Sequence, residues 1–168
     1  KDFQEDTYRT LTAADSVIVV IDVAKGVEPQ TEKLVEVCRM RNIPIIVFIN
    51  KLDRHGKDGF ELLDEIEQKL DINVTPLSWP INMGPEFKGV YSIFENKLNL
   101  FTPAKQTIEE YVEISNTSDP ILDEMVGTKD ADILREELEL VTEVYPEFVK
   151  QTYLDGNISP VFFGSALN

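Results

Sequence analysis

The first half of the chain alternates between short apolar runs and longer segments with the spacing of an amphipathic helix. The apolar runs are rich in β-branched residues, which favour strands. We predict strands at Val17–Ile21, Ile45–Ile49 and Asn73–Ser78, and helices at Glu28–Arg41 and Phe60–Leu70. Strands that are apolar on both faces and alternate with helices are typical of a parallel sheet covered on two sides, with right-handed crossovers. The pattern therefore predicts an α/β fold.

Both predicted helices carry apolar residues at helical intervals. Pro29 suits the first turn of the first helix, where its missing N–H costs no hydrogen bond. The helical spacing is carried by Leu34, Val37, Cys38 and Met40 in the first helix and by Phe60, Leu63, Ile66 and Leu70 in the second.

The composition of the chain changes after Trp79. Residues 80–117 are rich in Pro, Gly and Asn and contain short alternating pieces such as FKGVYSIF, which predict small antiparallel strands and turns. Ser118-Asp119-Pro120 is a possible helix start, and Asp130–Gln151 is an acidic amphipathic pattern that Pro146 should kink or interrupt. Its expected inner residues are Ile133, Leu134, Leu138, Val141 and Val144. A last apolar run, Pro160–Phe163, predicts a return to the parallel sheet.

We therefore predict a parallel-sheet unit formed by residues 1–79 and 158–168, with residues 80–157 inserted as a small α+β subdomain. The chain has 168 residues, 42% of them hydrophobic, which is enough for one real core with an insertion. It opens on Lys1 in place of a methionine and closes on GSALN directly after an apolar strand, so we expect a piece of a longer protein.

Charge and hydropathy narrow the possible functions. The formal net charge is -15, with 31 acidic residues against 16 Lys and Arg. This charge does not support sequence-independent binding to the phosphate backbone of nucleic acids. The longest apolar run, Ile43–Ile49, is far below the ~20 residues of a membrane-spanning helix. The single cysteine, Cys38, cannot form an internal disulfide and is weakly indicative of a reducing compartment.

Two polar clusters follow predicted strands directly. Asn50, Lys51, Leu52 and Asp53 follow the second strand, and Ser165, Ala166 and Leu167 follow the last. In open parallel sheets, ligands bind beyond the carboxyl ends of the strands, so both clusters are candidates for one site.

The Asp53 carboxylate can accept two parallel hydrogen bonds from a ligand edge with two adjacent donors. Among nucleobases, guanine supplies that pair through N1–H and its 2-amino group, whereas adenine does not. A good bidentate contact discriminates by about 1–3 kcal/mol. Asn50 can hydrogen-bond across the loop and toward the base, the Lys51 stem can lie against the ring, and the Ala166 N–H can donate to a carbonyl oxygen. In the competing interpretation, NKLD is only a turn, in which Asn50 and Asp53 cap the next helix.

NKLD together with GSAL resembles the two guanine-recognition motifs of P-loop GTPases. The segment DTYRTLTAADSVIVVIDVAKGVEPQT is similar to translational GTPases of the elongation factor G group. Within that group EDTYRTL, FINKLDR, LLDEIE, WPI and FKGVY most resemble bacterial peptide chain release factor 3. The resemblance covers nearly the whole chain and implies a partial P-loop GTPase-type domain.

For the parent protein, the resemblance implies cytoplasmic GTP binding and hydrolysis on the ribosome, linked to recycling of class I release factors. The chain has no GxxxxGK(S/T) loop, so the phosphate and Mg²⁺ ligands of that family are absent from it. We therefore expect no catalytic residue and no metal ligand here, weak GTP or GDP binding, and no hydrolysis by this piece alone. His55, the only histidine, is expected to be a solvated loop residue.

Two other functions fit the sequence. One is an elongation factor G-like translocase fragment. The other is a non-enzymatic α/β interaction module that docks partners on its acidic helix and ignores guanine nucleotides.

Overall fold

The computed structural model describes residues 15–102 and 107–164. Its strands are β1 Val17–Asp22, β2 Ile45–Asn50, β3 Val74–Pro76, β4 Ser78–Ile81, β5 Gly89–Ser92, β6 Lys97–Thr102, β7 Thr107–Glu113 and β8 Ser159–Phe163. Its α-helices are α1 Pro29–Met40, α2 Gly59–Leu70, α3 Ile121–Val126, α4 Thr128–Val144 and α5 Lys150–Leu154. Within these described ranges, no helix is long and apolar enough to cross a membrane.

The first sheet is parallel throughout, with the strand order β1-β2-β8-β3. β2 and β8 lie in the middle, and their side chains are buried on both faces apart from the partly buried Asn50 at the end of β2. This confirms the predicted parallel α/β sheet and explains why both strands are continuous apolar runs.

Helices α1 and α2 pack on one face of this sheet. Helix α2 begins with a capping box, in which the Asp58 side chain accepts from Glu61 N–H while the Glu61 side chain accepts from Asp58 N–H. The buried residues of these helices are Val35 and Cys38 of α1 and Gly59, Leu62, Leu63, Ile66 and Leu70 of α2. The other apolar positions of the α1 pattern, Leu34, Val37 and Met40, remain exposed.

The opposite face is covered by the segment around α5. Tyr153 is fully buried there against Ile46, Phe48 and Phe162 of the central strands. On the outer strand β1, Ile18 and Val20 stay exposed.

The predicted third strand, Asn73–Ser78, was too long. β3 ends at Pro76, and Ser78 already belongs to the second sheet, which is antiparallel with the order β4-β5-β6-β7. Where the chain changes sheets, the Ser78 hydroxyl bonds the backbone of β8 beyond the last residue that β3 pairs with. Its Oγ accepts from Phe163 N–H at 2.8 Å and lies 3.2 Å from Phe163 O. The predicted antiparallel strands after Trp79 are present in this sheet.

The predicted acidic helix is shorter than expected. It ends at Val144 because Tyr145 precedes Pro146 and is extended, and the helix pattern resumes only at Lys150. Its buried residues are Ala131, Leu134, Leu138 and Val141. Ile133 and Val144 were expected inside but are 37% and 62% exposed, since Ile133 lies beside this stripe and Val144 at its free end. Helix α3 follows Ser118-Asp119-Pro120, as predicted, and the Asp119 side chain accepts from Ile121 N–H.

Candidate functional site

Three strands of the parallel sheet end side by side. Asp22, the last residue of β1, pairs in register with Asn50, the last residue of β2. On the other side of β2, Gly164 N–H donates to the Ile49 carbonyl at 3.0 Å. Residues 165–167, which we predicted to complete the site, follow Gly164 directly but lie outside the described residues. The described part of the candidate site is therefore residues 50–53, between the ends of β1 and β8.

Asn50 and Lys51 form the start of a tight turn. The Asn50 Oδ1 atom is buried and has no hydrogen-bond partner within the described residues. Lys51 has φ 66°, a left-handed conformation, and its carbonyl accepts from Arg54 N–H at 3.1 Å. An unpaired buried amide oxygen costs free energy, so it marks a position where a ligand or another chain segment can donate.

Asp22 fixes the Lys51 side chain. The Lys51 Nζ atom lies 3.2 Å from Asp22 Oδ2, and the Ala24 N–H donates to Asp22 Oδ1 at 2.8 Å. Burial by itself would raise the pKa of Asp22, but hydrogen bonds from Ala24, Lys51 and Lys25 outweigh it and hold that pKa below its ordinary value. The sequence analysis did not predict this ion pair. The sequence did contain a sign of it, since VIVVID and IIVFIN are neighbouring strands that each end on a polar residue.

Leu52 anchors the loop. Its side chain is fully buried, and its carbonyl accepts from Gly84 N–H at 2.8 Å. Gly84 begins the short 3-10 turn Gly84–Glu86 between β4 and β5. The loop after β2 is thereby tied to the antiparallel sheet as well as to β1.

Asp53 lies in the same turn and is partly buried. Within residues 15–102 and 107–164, the structure gives its carboxylate no hydrogen bond or ion pair. The cap of helix α2 is Asp58, so the interpretation in which Asn50 and Asp53 cap that helix is wrong. Asp53 thus keeps both carboxylate oxygens available to a ligand with two adjacent donors.

His55 is exposed, as predicted for a loop residue. Among the described residues, no group of three or more His, Cys, Asp or Glu side chains is arranged to hold a metal ion.

A parallel sheet flanked by helices, with a small antiparallel sheet beside it, is the architecture of a GTPase-type nucleotide-binding domain. The chain belongs to the family described as "Elongation factor Tu GTP binding domain", whose model matches residues 1–168. It is therefore the GTP-binding domain of a translational GTPase.

A solved structure supports this fold. The crystal structure of ttk003000868 from Thermus thermophilus matches with a TM-score of 0.58 and 23% sequence identity. The match covers 92% of this chain and 24% of the Thermus thermophilus chain, so this chain spans about a quarter of that protein's length.

Proposed function

We propose that residues 50–53 and 165–167 bind the guanine base of GTP and GDP, with Asp53 accepting from N1–H and the 2-amino group. The observation that carries this proposal is the Asp53 carboxylate, which is held at the end of β2 and has no hydrogen-bond partner among the described residues. Leaving such a group unpaired against adenine is unfavourable, which makes the site selective for guanine.

The neighbouring residues have supporting roles. The ion pair between Lys51 and Asp22 holds the ammonium group aside, so that the aliphatic stem of Lys51 can lie against the flat base. Asn50 can turn its side chain toward the base or across the loop. Since its buried Oδ1 has no partner in the described residues, either contact would remove an energetic penalty.

For the whole protein, we propose the activity of peptide chain release factor 3: GTP hydrolysis on the ribosome, coupled to recycling of class I release factors in the cytoplasm. The support is the family membership together with the motif combination EDTYRTL, FINKLDR, WPI and FKGVY. The phosphates and Mg²⁺ supply most of the nucleotide affinity in such proteins, and the sequence has no phosphate-binding loop. This chain alone is therefore expected to bind guanine nucleotides weakly and to hydrolyse none.

The base assignment is tested by following amide NMR shifts while the chain is titrated with GDP, ADP or xanthosine diphosphate at millimolar concentration. We expect shifts around Asn50 with GDP only. In Asp53→Asn, the amide offers one donor and one acceptor in place of two acceptors, which matches the N1–H and 2-carbonyl edge of xanthine. The variant should lose the GDP response and gain a xanthosine diphosphate response.

Equal responses to GDP and ADP, or an unchanged GDP response in Asp53→Asn, would contradict the proposed role of Asp53. A non-enzymatic docking module would respond to none of the three nucleotides. An assay of the full-length parent distinguishes the release-factor role from a translocase role. A release factor 3 should use GTP to accelerate dissociation of a class I release factor from the ribosome, whereas a translocase should use it to accelerate movement of messenger RNA.

A further inference from the structure

A half-open cleft of about 480 Å³ lies between the start of α2, strand β4 and helix α4. Phe60, Met83 and Ile133 form apolar parts of its lining, and the Glu137 carboxylate is among its polar groups. Ile133 is 37% exposed here, although its position in the helix pattern predicted burial. The lining of the cleft does not include residues 50–53, although Gly84 in that lining donates to the Leu52 carbonyl.

Glu137 is a partly buried carboxylate without a cation beside it. Its Oε1 atom accepts from the Trp79 Nε1–H at 2.9 Å, and Trp79 is 1% exposed. The structure gives Glu137 no ion pair within the described residues. The one ammonium group in the lining, that of Lys57, is already bound to Glu65 outside the cleft.

The surroundings of Glu137 disfavour its negative charge. Burial raises the pKa of Glu137, and the neighbouring Asp58 and Glu136 raise it further, against the lowering effect of the Trp79 hydrogen bond. By contrast, the Asp22 carboxylate has a cationic partner in Lys51, and the pKa of Asp22 is lowered.

We propose that this cleft binds the guanidinium group of an arginine side chain presented by a partner protein. A planar guanidinium can donate to the Glu137 carboxylate while stacking against the Phe60 ring, a combination that an ammonium group does not reproduce. Binding would supply the missing positive charge inside the cleft, where a charge pair is screened less than on the open surface.

Two observations favour a polypeptide over a free small molecule. The cleft is half open to the surface, so a side chain can enter it from a neighbouring backbone. Ile133 gives the residues beside the arginine an apolar surface to pack on. The net charge of -15 also favours a basic partner segment.

Trp79 is the only tryptophan of the chain, and its indole N–H contacts the proposed ligand site, so it is a built-in reporter. The probe is a blocked tripeptide, acetyl-Leu-Arg-Leu-amide, compared with the same peptide containing citrulline, which has nearly the same shape without the charge. We expect the arginine peptide to shift the Trp79 indole resonance saturably. The citrulline peptide should bind at least about ten-fold more weakly, since it lacks the ionic contact.

Two variants give a matched comparison. Glu137→Gln keeps the shape and an oxygen acceptor for the Trp79 N–H, and should weaken arginine-peptide binding about ten-fold. Glu139→Gln makes the same charge change on the same helix but outside this cleft, and should change binding less than about two-fold. Ile133 is exposed, so Ile133→Ser should fold normally. This variant should weaken binding of the peptide but leave binding of free arginine unchanged.

The proposal is overturned if neither peptide shifts the indole resonance, if citrulline binds as well as arginine, or if Glu137→Gln and Glu139→Gln bind alike. Free arginine that binds as tightly as the peptide would assign the cleft to a small molecule and overturn the partner-protein assignment.

Discussion

The Ser78 hydroxyl joins the two sheets, and its removal should be among the most damaging small changes in this protein. Ser78 is 1% exposed and Phe163 is fully buried. The Ser78 Oγ atom accepts from Phe163 N–H at 2.8 Å, on the side of β8 where β3 has already ended at Pro76. In Ser78→Ala, this buried N–H loses its acceptor.

A buried donor without a partner costs about 1–3 kcal/mol, and the Phe163 carbonyl also loses a 3.2 Å contact with the hydroxyl. We therefore expect Ser78→Ala to lower the free energy of unfolding by about 2–3 kcal/mol. With a urea m-value of about 2 kcal/mol/M, the midpoint of urea unfolding should fall by roughly 1–1.5 M at unchanged m.

Ser92→Ala is the matched control. The Ser92 hydroxyl accepts from Glu95 N–H at 3.1 Å in a turn that is only partly buried, where water can replace it. Its removal should cost no more than about 1 kcal/mol. If the two variants unfold at the same urea concentration, or if Phe163 N–H is equally protected from hydrogen exchange with and without Ser78, the reasoning about this junction is refuted.

Three further predictions concern backbone turns and ion pairs outside the Ser78 junction. Gly26 (φ 70°) and Gly156 (φ 80°) are both left-handed, but an added Cβ at Gly26 would lie 2.6 Å from a Glu65 carboxylate oxygen, and Val27 N–H and Lys57 hold that carboxylate in place. Gly26→Ala should therefore cost about 2–3 kcal/mol and Gly156→Ala about 1 kcal/mol in urea unfolding, and equal losses would contradict the predicted clash. Burial tends to raise the pKa of Glu65, but its hydrogen bonds, first that from Lys57, lower it below 4.5. The stability it contributes is therefore present above pH 4.5 and is lost as the pH falls through the lowered value. Glu65→Gln should be less stable at neutral pH but lose less stability on acidification, and parallel unfolding curves against pH would refute this. Asp22→Asn should weaken the ion pair that holds the lysine of the NKLD turn and raise the GDP dissociation constant about two- to five-fold, and an unchanged constant would exclude a positioning role.

The sequence predicted the strands and helices whose residue types follow directly from how deeply they are buried. β2 and β8 were recognisable because strands buried on both faces are continuous apolar runs. The border between β3 and β4 was not, because residues 74–81 are all buried and no change of period marks where the chain leaves one sheet. That border depends on the contact between Ser78 and Phe163, which are distant in sequence.

The candidate site was likewise predictable from the sequence only in part. The NKLD turn was predictable, since its polar residues directly follow a buried strand and ligands of parallel sheets bind at the carboxyl ends of the strands. The hydrogen bond from Gly84 to the Leu52 carbonyl was not, because it joins the turn to a segment of the other sheet. Residues 165–167 are untested by the described structure, and their role remains a prediction.

The position of β8 determines when this domain can be finished during synthesis. Among the described strands β8 comes last in sequence, yet it lies between β2 and β3. Over one hundred residues follow β2 before β8 is complete, so at typical elongation rates the facing edges of β2 and β3 wait roughly 5–20 s without their shared neighbour. Because the NKLD turn follows β2 directly, its β8 side can form only after β8 has been translated. The nascent chain therefore passes through a period in which half of its pocket exists and its central sheet is open to chaperones or to unwanted strand pairing.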